Sequence, residues 1–249
     1  MINSVDELVS KKSSENLVVV PTFNNPTYTL NTVNFFSNRG FDIVILDNNS
    51  SYTIMLDLLN TLSKDFIVFS DGNNNGPRYF YENKSIYQWL PNNFIATDPD
   101  LEFNEKLLNE NILKLIDISE QYQLFKVGSA LRMDIKENNF LDVPILVGGR
   151  KLTIREIELE YFKNVIGVTE NNIIYSAPID TTFAMYNKKY DQGFMSRCAR
   201  IDGIYAVHHY GWFTNNRMTI EEAEYYSNAC VDKQFSAIET VKRGHNYQY

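Results

Sequence analysis

The chain has 249 residues, 44% hydrophobic and 22% charged, the mixture of a folded globular protein rather than a disordered one. Its formal net charge of −8 argues against a nucleic-acid-binding surface, and two cysteines, Cys198 and Cys230, are too few and too far apart for a disulfide scaffold, a zinc motif or a redox pair. The polar start from Met1 to Asn16 has no apolar core of the kind a signal peptide needs, and no window is apolar for long enough to cross a bilayer, so a soluble, cytoplasmic protein without a transmembrane segment is expected.

In chain order, the first strand is Leu17 to Val20, a continuously apolar run of the kind buried on both faces of a parallel sheet. A helix is expected from Pro26 to Ser37, with Leu30, Val33, Asn34 and Phe36 at roughly helical spacing and Gly40 as its stop. Asp42 to Leu46 reads as a second strand, Tyr52 to Ser63 as an amphipathic helix, and Phe66 to Phe69 as a third strand. This succession implies right-handed crossovers and a doubly wound, mostly parallel sheet whose carboxyl-end loops line a crevice. Asn24, just after the first strand, and Asp47, just after the second, fall at the same edge. A carboxylate there can accept hydrogen bonds from the imide or ribose of a nucleotide. No G-x-G-x-x-G follows the first strand and no P-loop lysine is present, which disfavours a dinucleotide or a Walker-type ATP site. Arg78 ends a long turn signal, Asp71 to Arg78, from which it reaches a base or phosphate, or is simply solvated.

The next stretch, Phe94 to Phe103, ends a short apolar run in two carboxylates separated by a proline, Asp98-Pro99-Asp100. Pro99 holds the pair out of the helical region, so both side chains are expected on one side of a rigid turn. Two such oxygen ligands suit Mg²⁺ or Mn²⁺, with positions left open for a diphosphate. The same three residues are also ordinary turn chemistry.

Beyond the turn, Asn109 to Gln121 is expected to be a core-packing helix and Phe125 to Gly128 a strand, with Gly128 marking close approach of backbone to ligand. Arg155 to Asn164 is expected to be helical, and its glutamates to be mostly solvated. Ala177 to Ala184 places Asp180 between a turn proline and a strand-like Thr181-Thr182-Phe183-Ala184. Asp180 is the first choice for a base that activates an acceptor hydroxyl, against the alternative of an Asp that caps a turn or bonds Thr181 and Thr182. Of the adjacent His208 and His209 at most one can enter a site from a strand, and His208 is preferred as a nitrogen ligand beside Asp100. Tyr210 and Trp212 are candidates to stack on a sugar ring. Glu221 to Asp232 reads as a final helix, and Lys233 to Tyr249 as a polar tail that orders on an acceptor or partner.

Taken together, Val18 to Asn25, Asp42 to Ser51, Asn75 to Arg78 and Thr97 to Leu101 resemble the nucleotide-sugar half of GT-A glycosyltransferases, family 2-like. Gly128 to Arg132, Ala177 to Ala184 and Ala206 to Phe213 resemble later blocks of a bacterial and viral branch. The resemblance implies a single GT-A domain over 1–249, with a nucleotide-sugar half at 17–103 and a smaller acceptor-side half at 104–249. It implies a metal-dependent transferase that moves a sugar from a nucleoside-diphosphate sugar, most often UDP-linked, to a glycan, lipid-linked or protein acceptor. Inversion is expected, with retention left open. On the family's pattern Asp98 and Asp100 match the D-x-D carboxylates for Mn²⁺ or Mg²⁺ and the diphosphate. Asp47 matches the nucleoside contact, Thr22 starts the base-lining loop, and Glu158, a catalytic candidate behind Asp180, lies where related sequences carry a glutamate. Asn48 departs from the pattern, since much of the family has a second acidic residue there. The alternatives are a sugar nucleotidyltransferase, whose usual Gly-rich basic loop is missing at Pro21 to Asn25, and a non-catalytic nucleotide-sugar-binding protein.

Overall fold

The computed structural model describes residues 1–133, 144–147, 150–170, 172–212 and 217–229. It opens with α1 (Val5–Val9), whose N-cap Ser4 accepts the amide of Glu7, and β1 (Leu17–Thr22), buried at every position. Pro26 then starts α2 (Pro26–Ser37), where a missing N–H costs nothing. The buried stripe of α2 is Tyr28, Thr29, Thr32, Val33, Phe35 and Phe36, whereas Leu30 and Asn34, two of the residues expected to mark that stripe, are exposed. The helix is rotated toward its aromatic side because Phe35 and Phe36 bury the larger apolar area. β2 (Asp42–Asp47), α3 (Thr53–Leu62) and β3 (Ile67–Phe69) follow, and a parallel bridge from Ile2 to Phe69 covers the otherwise open edge of β3.

Two short helices, α4 (Tyr79–Glu82) and α5 (Lys84–Trp89), lead into β4 (Asn93–Ala96), and the Asp98–Asp100 turn joins it to the two-residue β5 (Leu101–Glu102). After α6 (Asn109–Tyr122) come β6 (Lys126–Ser129), the hairpin of β7 (Pro144–Val147) and β8 (Arg150–Thr153), α7 (Ile154–Glu160), β9 (Val165–Thr169) and β10 (Asn172–Ser176). The described chain closes with β11 (Ala184–Asn187), β12 (Cys198–Ile201), β13 (His208–His209) and α8 (Ile220–Ala229). The tail from 233 to 249 and Cys230 lie outside the described residues, and the Cys198 thiol is buried. No helix among the described residues is long and apolar enough to cross a membrane.

Nine strands form one sheet in the order β3-β2-β1-β4-β11-β6-β12-β10-β9, so residues from both the 17–103 and 104–249 stretches build it. The pairings β1·β2, β2·β3, β1·β4 and β6·β12 are parallel, while β4·β11, β11·β6, β12·β10 and β10·β9 are antiparallel. The expectation of a mostly parallel sheet is therefore corrected to a mixed one. β11 returns late in the chain and wedges between β4 and β6, reversing the direction that the first four strands set. Apolar side chains pack on both faces of the sheet: Val18, Val20, Ile95, Phe183 and Met185 on one, and Val19, Phe94, Ala96, Ala184 and Tyr186 on the other. Gly128 serves this sheet rather than a ligand. A Cβ there would stand 2.1 Å from the Phe183 carbonyl oxygen and 2.8 Å from the Ala184 Cα, so the missing side chain is what lets β11 lie against β6.

Candidate metal centre

The Asp98–Asp100 turn leaves the carboxyl end of β4, next to the carboxyl end of β1, and is pinned from three elements. From α2, the Thr32 hydroxyl donates to the Pro99 carbonyl at 2.8 Å. From the loop before β11, Thr181 accepts the Asp98 amide at 3.0 Å and donates its hydroxyl to Asp98 Oδ2 at 2.9 Å. From the end of β13, the Tyr210 amide donates to the Asp100 carbonyl at 2.9 Å. The two carboxylates are thus held by backbone fixed on three sides.

The antiparallel pairing of β13 with β5 sets His208 opposite Glu102 and His209 opposite Leu101. His209 Nδ1 lies 3.6 Å from Asp100 Oδ2, and ligand atoms of Asp98, Asp100 and His209 all fall within 4.8 Å of one another. His208 Nδ1 instead lies 3.6 Å from Glu102 Oε2. The preference for His208 is therefore corrected: strand alternation turns it to the neighbouring carboxylate, and its sequence neighbour takes the site. Gly211 makes the approach possible, since a Cβ there would sit 2.9 Å from Asp100 Oδ2 and 3.2 Å from His209 Cε1.

Burial and then the charge of Asp100 push the Asp98 carboxyl well above its ordinary range, with the Thr181 hydroxyl opposing them. Two hard carboxylate oxygens and one imidazole nitrogen, crowded enough to repel, match the donor set of a divalent ion such as Mn²⁺, and Mg²⁺ through the carboxylates.

The other expected residues fall into two groups. Asp47 is buried at the carboxyl end of β2, and its carboxylate accepts the Ser50 amide at 3.1 and 3.2 Å and the Ser70 hydroxyl at 3.0 Å. Arg78 grips Asp180 with Nε and Nη2, both at 2.8 Å, while its guanidinium lies 4.9 Å from the Phe194 ring centre. This pairing raises Arg78 above its usual value. It also brings both residues near the Asp98–Asp100 turn, because Thr181, next to Asp180, is the residue that holds Asp98.

Thr22, Asn24 and Glu158 are turned elsewhere. The Thr22 hydroxyl donates to Asn25 Oδ1 at 2.7 Å and lies against the Thr29 hydroxyl. Asn24, fully buried with a left-handed φ of 49°, accepts the Ser51 and Tyr52 amides at 2.8 and 2.9 Å. It therefore staples the loop after β1 to the loop after β2, and its carbonyl oxygen is occupied by backbone. Glu158 forms a buried ion pair with Arg200 Nη1 at 2.6 Å, and burial pushes its carboxyl up. A carboxylate so enclosed does not face an acceptor, so the catalytic expectation for Glu158 is replaced by a framework role. Tyr210 is likewise committed, its ring stacked on Tyr28 at 5.3 Å; the Trp212 side chain lies outside the described residues.

The final helix expected from Glu221 is present as α8, and what sequence reasoning missed is where it packs. Its buried Glu222 accepts the Thr27 amide at 3.1 Å at the N-terminal end of α2, and Tyr225 stacks on Tyr52 at 4.7 Å with its hydroxyl 3.0 Å from Ser51 Oγ. These contacts set α8 over the loops that follow β1 and β2. No local pattern announces a contact made across some 195 residues of chain. No family model matches the chain, and no curated protein matches it.

Proposed function

We propose that the chain is a metal-dependent glycosyltransferase of GT-A type, of the hexosyltransferase class. Its donor is a nucleoside-diphosphate sugar, UDP-linked in this reading, and its acceptor a glycan, lipid-linked sugar or protein side chain. One observation carries this reading: ligand atoms of Asp98, Asp100 and His209 converge within 4.8 Å just past the carboxyl end of β4, on the edge where the parallel strands β1 and β2 also end and β2 ends in Asp47. Ligands in open α/β sheets bind at that end of the strands.

In this proposal Asp98, Asp100 and His209 hold Mn²⁺ or Mg²⁺, which when bound supplies Lewis-acid neutralisation of the departing diphosphate. Asp47 accepts hydrogen bonds from the nucleoside in exchange for those it now takes from Ser50 and Ser70. Arg78, now paired with Asp180, exchanges that carboxylate for a phosphate oxygen, a partner that a planar guanidinium grips with the same two-pronged geometry. Released from Arg78, Asp180 accepts the acceptor's hydroxyl proton as the acceptor oxygen bonds to the anomeric carbon and the carbon–oxygen bond to the diphosphate breaks. In-line attack of this kind inverts the anomeric centre.

A panel of UDP-sugars incubated with Mn²⁺, with and without chelator, tests the proposal. Chelator-sensitive release of UDP supports it. Release of pyrophosphate would point to a nucleotidyltransferase, and binding without turnover to a nucleotide-sugar-binding protein, each at the expense of the transferase reading.

A further inference from the structure

Lys126 is a fully buried lysine, and among the described residues no carboxylate forms an ion pair with its ammonium group. It rises from β6, and Nζ donates to two consecutive carbonyls, Ile179 at 3.0 Å and Asp180 at 3.1 Å. Its Nζ also lies 3.2 Å from the centre of the Phe194 ring and 4.8 Å from that of Tyr186. The preceding carbonyl, that of Pro178, accepts Arg200 Nε at 2.7 Å, and the Arg200 guanidinium is itself enclosed by Glu158 and by the Tyr161 ring at 4.4 Å. Arg200 pairs with Gly128 in the β12·β6 ladder, and Lys126 is two residues before Gly128, so both cations stand on one face of the sheet. Three successive carbonyls, 178 to 180, are thus drawn onto two buried cations from adjacent strands.

Burying an ammonium group is costly unless strong dipoles or ring faces replace water, and here two carbonyls and two rings offset part of that cost. The segment held in this way carries Asp180, which faces Arg78, and Thr181, which takes the Asp98 amide and donates to its carboxylate. We infer that Lys126 and Arg200 are positioning residues that lock the Pro178–Asp180 backbone so that Thr181 sets Asp98 for metal and Asp180 is aimed at the crevice. The consequence for metal rests on the proposed transferase site; the clamp itself rests on geometry alone.

The test uses the full chain and two readouts, hydrogen exchange of the Asp98 amide, whose acceptor is Thr181, and Mn²⁺ affinity by electron paramagnetic resonance of the free ion. Lys126→Met should speed exchange at Asp98 by about tenfold or more while leaving β1 amides unchanged, and should weaken Mn²⁺ binding by roughly threefold to tenfold. Lys126→Arg, which restores a cationic donor, should recover part of both. If Lys126→Met shows no cooperative unfolding transition, Arg200→Lys, which keeps the charge and loses Nε, takes its place with the same expectation. A folded variant with wild-type exchange at Asp98 overturns the clamp, and faster exchange with unchanged Mn²⁺ affinity overturns its positioning role. Wild-type protein that binds no Mn²⁺ while the variant still loosens Asp98 removes the metal reading and keeps the clamp.

Discussion

Asp100 Oδ2 and His209 Nδ1 face each other at 3.6 Å across a gap that the absent side chain of Gly211 leaves open. The pair links the turn after β4 to the last short strand of the described chain, so the candidate ligand set joins two segments that are more than a hundred residues apart in sequence.

Gly211→Ala should therefore damage metal binding more than folding. The added methyl would meet Asp100 Oδ2 at 2.9 Å and His209 Cε1 at 3.2 Å, forcing one ligand away. Mn²⁺ affinity is expected to fall about tenfold, near 1.4 kcal/mol, when measured by titration calorimetry.

The two histidines should separate cleanly. His209→Ala is expected to weaken Mn²⁺ binding by at least roughly tenfold. His208→Ala, which removes a buried ring set against Glu102, should leave Mn²⁺ affinity near wild type and cost about 1 kcal/mol of stability in urea. Equal metal affinities in the two variants would contradict the assignment.

Lys126 gives stability a pH signature. Burial pushes its ammonium group from the ordinary 10.5 down to about 7. The folded chain therefore releases this proton near pH 7 while the unfolded chain keeps it to about 10.5. Between those values the unfolded state binds more protons, so this residue's contribution to stability rises with pH. The wild-type stability minus that of Lys126→Met should increase by roughly 2–3 kcal/mol at most from pH 7 to pH 9 in urea titrations. A flat or falling difference would show that the lysine does not titrate in this way.

The Glu158–Arg200 pair should show the asymmetry of buried ions. Arg200→Met leaves Glu158 charged and enclosed, and is expected to cost about 3–5 kcal/mol. The double variant Glu158→Leu, Arg200→Met should recover much of that loss in denaturant melts, because no lone charge is left inside.

How much of this was legible in the sequence depends on the range of the interaction. The alternation from Leu17 to Phe69 was readable because each strand is a contiguous apolar run and each helix a local stripe, and Pro26 and Gly40 punctuate them. The carboxyl-end positions of Asp47, Asp98 and Asp100 followed directly from those elements. The mixed character of the sheet was not readable, because nothing in Ala184 to Asn187 specifies β4 and β6 as its neighbours. Asn24 and Thr22 have the residue types of ligand contacts, yet the Asn24 side-chain oxygen is used by the Ser51 and Tyr52 amides and the Thr22 hydroxyl by Asn25 and Thr29, and polar residues at helix starts serve backbone as readily as ligands. Lys126 was hidden because a lysine in a strand ordinarily faces water, and only the fold supplies the carbonyls and rings that enclose it.

UDP binding by fluorescence titration, in Mn²⁺ and in chelator, with wild type beside Asp100→Asn, goes most directly to the metal-assisted donor site. Binding should tighten at least about tenfold when Mn²⁺ is present, and Asp100→Asn should erase that gain without changing the fold seen by circular dichroism. Equal UDP affinity with and without the ion in wild type, or an undiminished Mn²⁺ effect in Asp100→Asn, would contradict it.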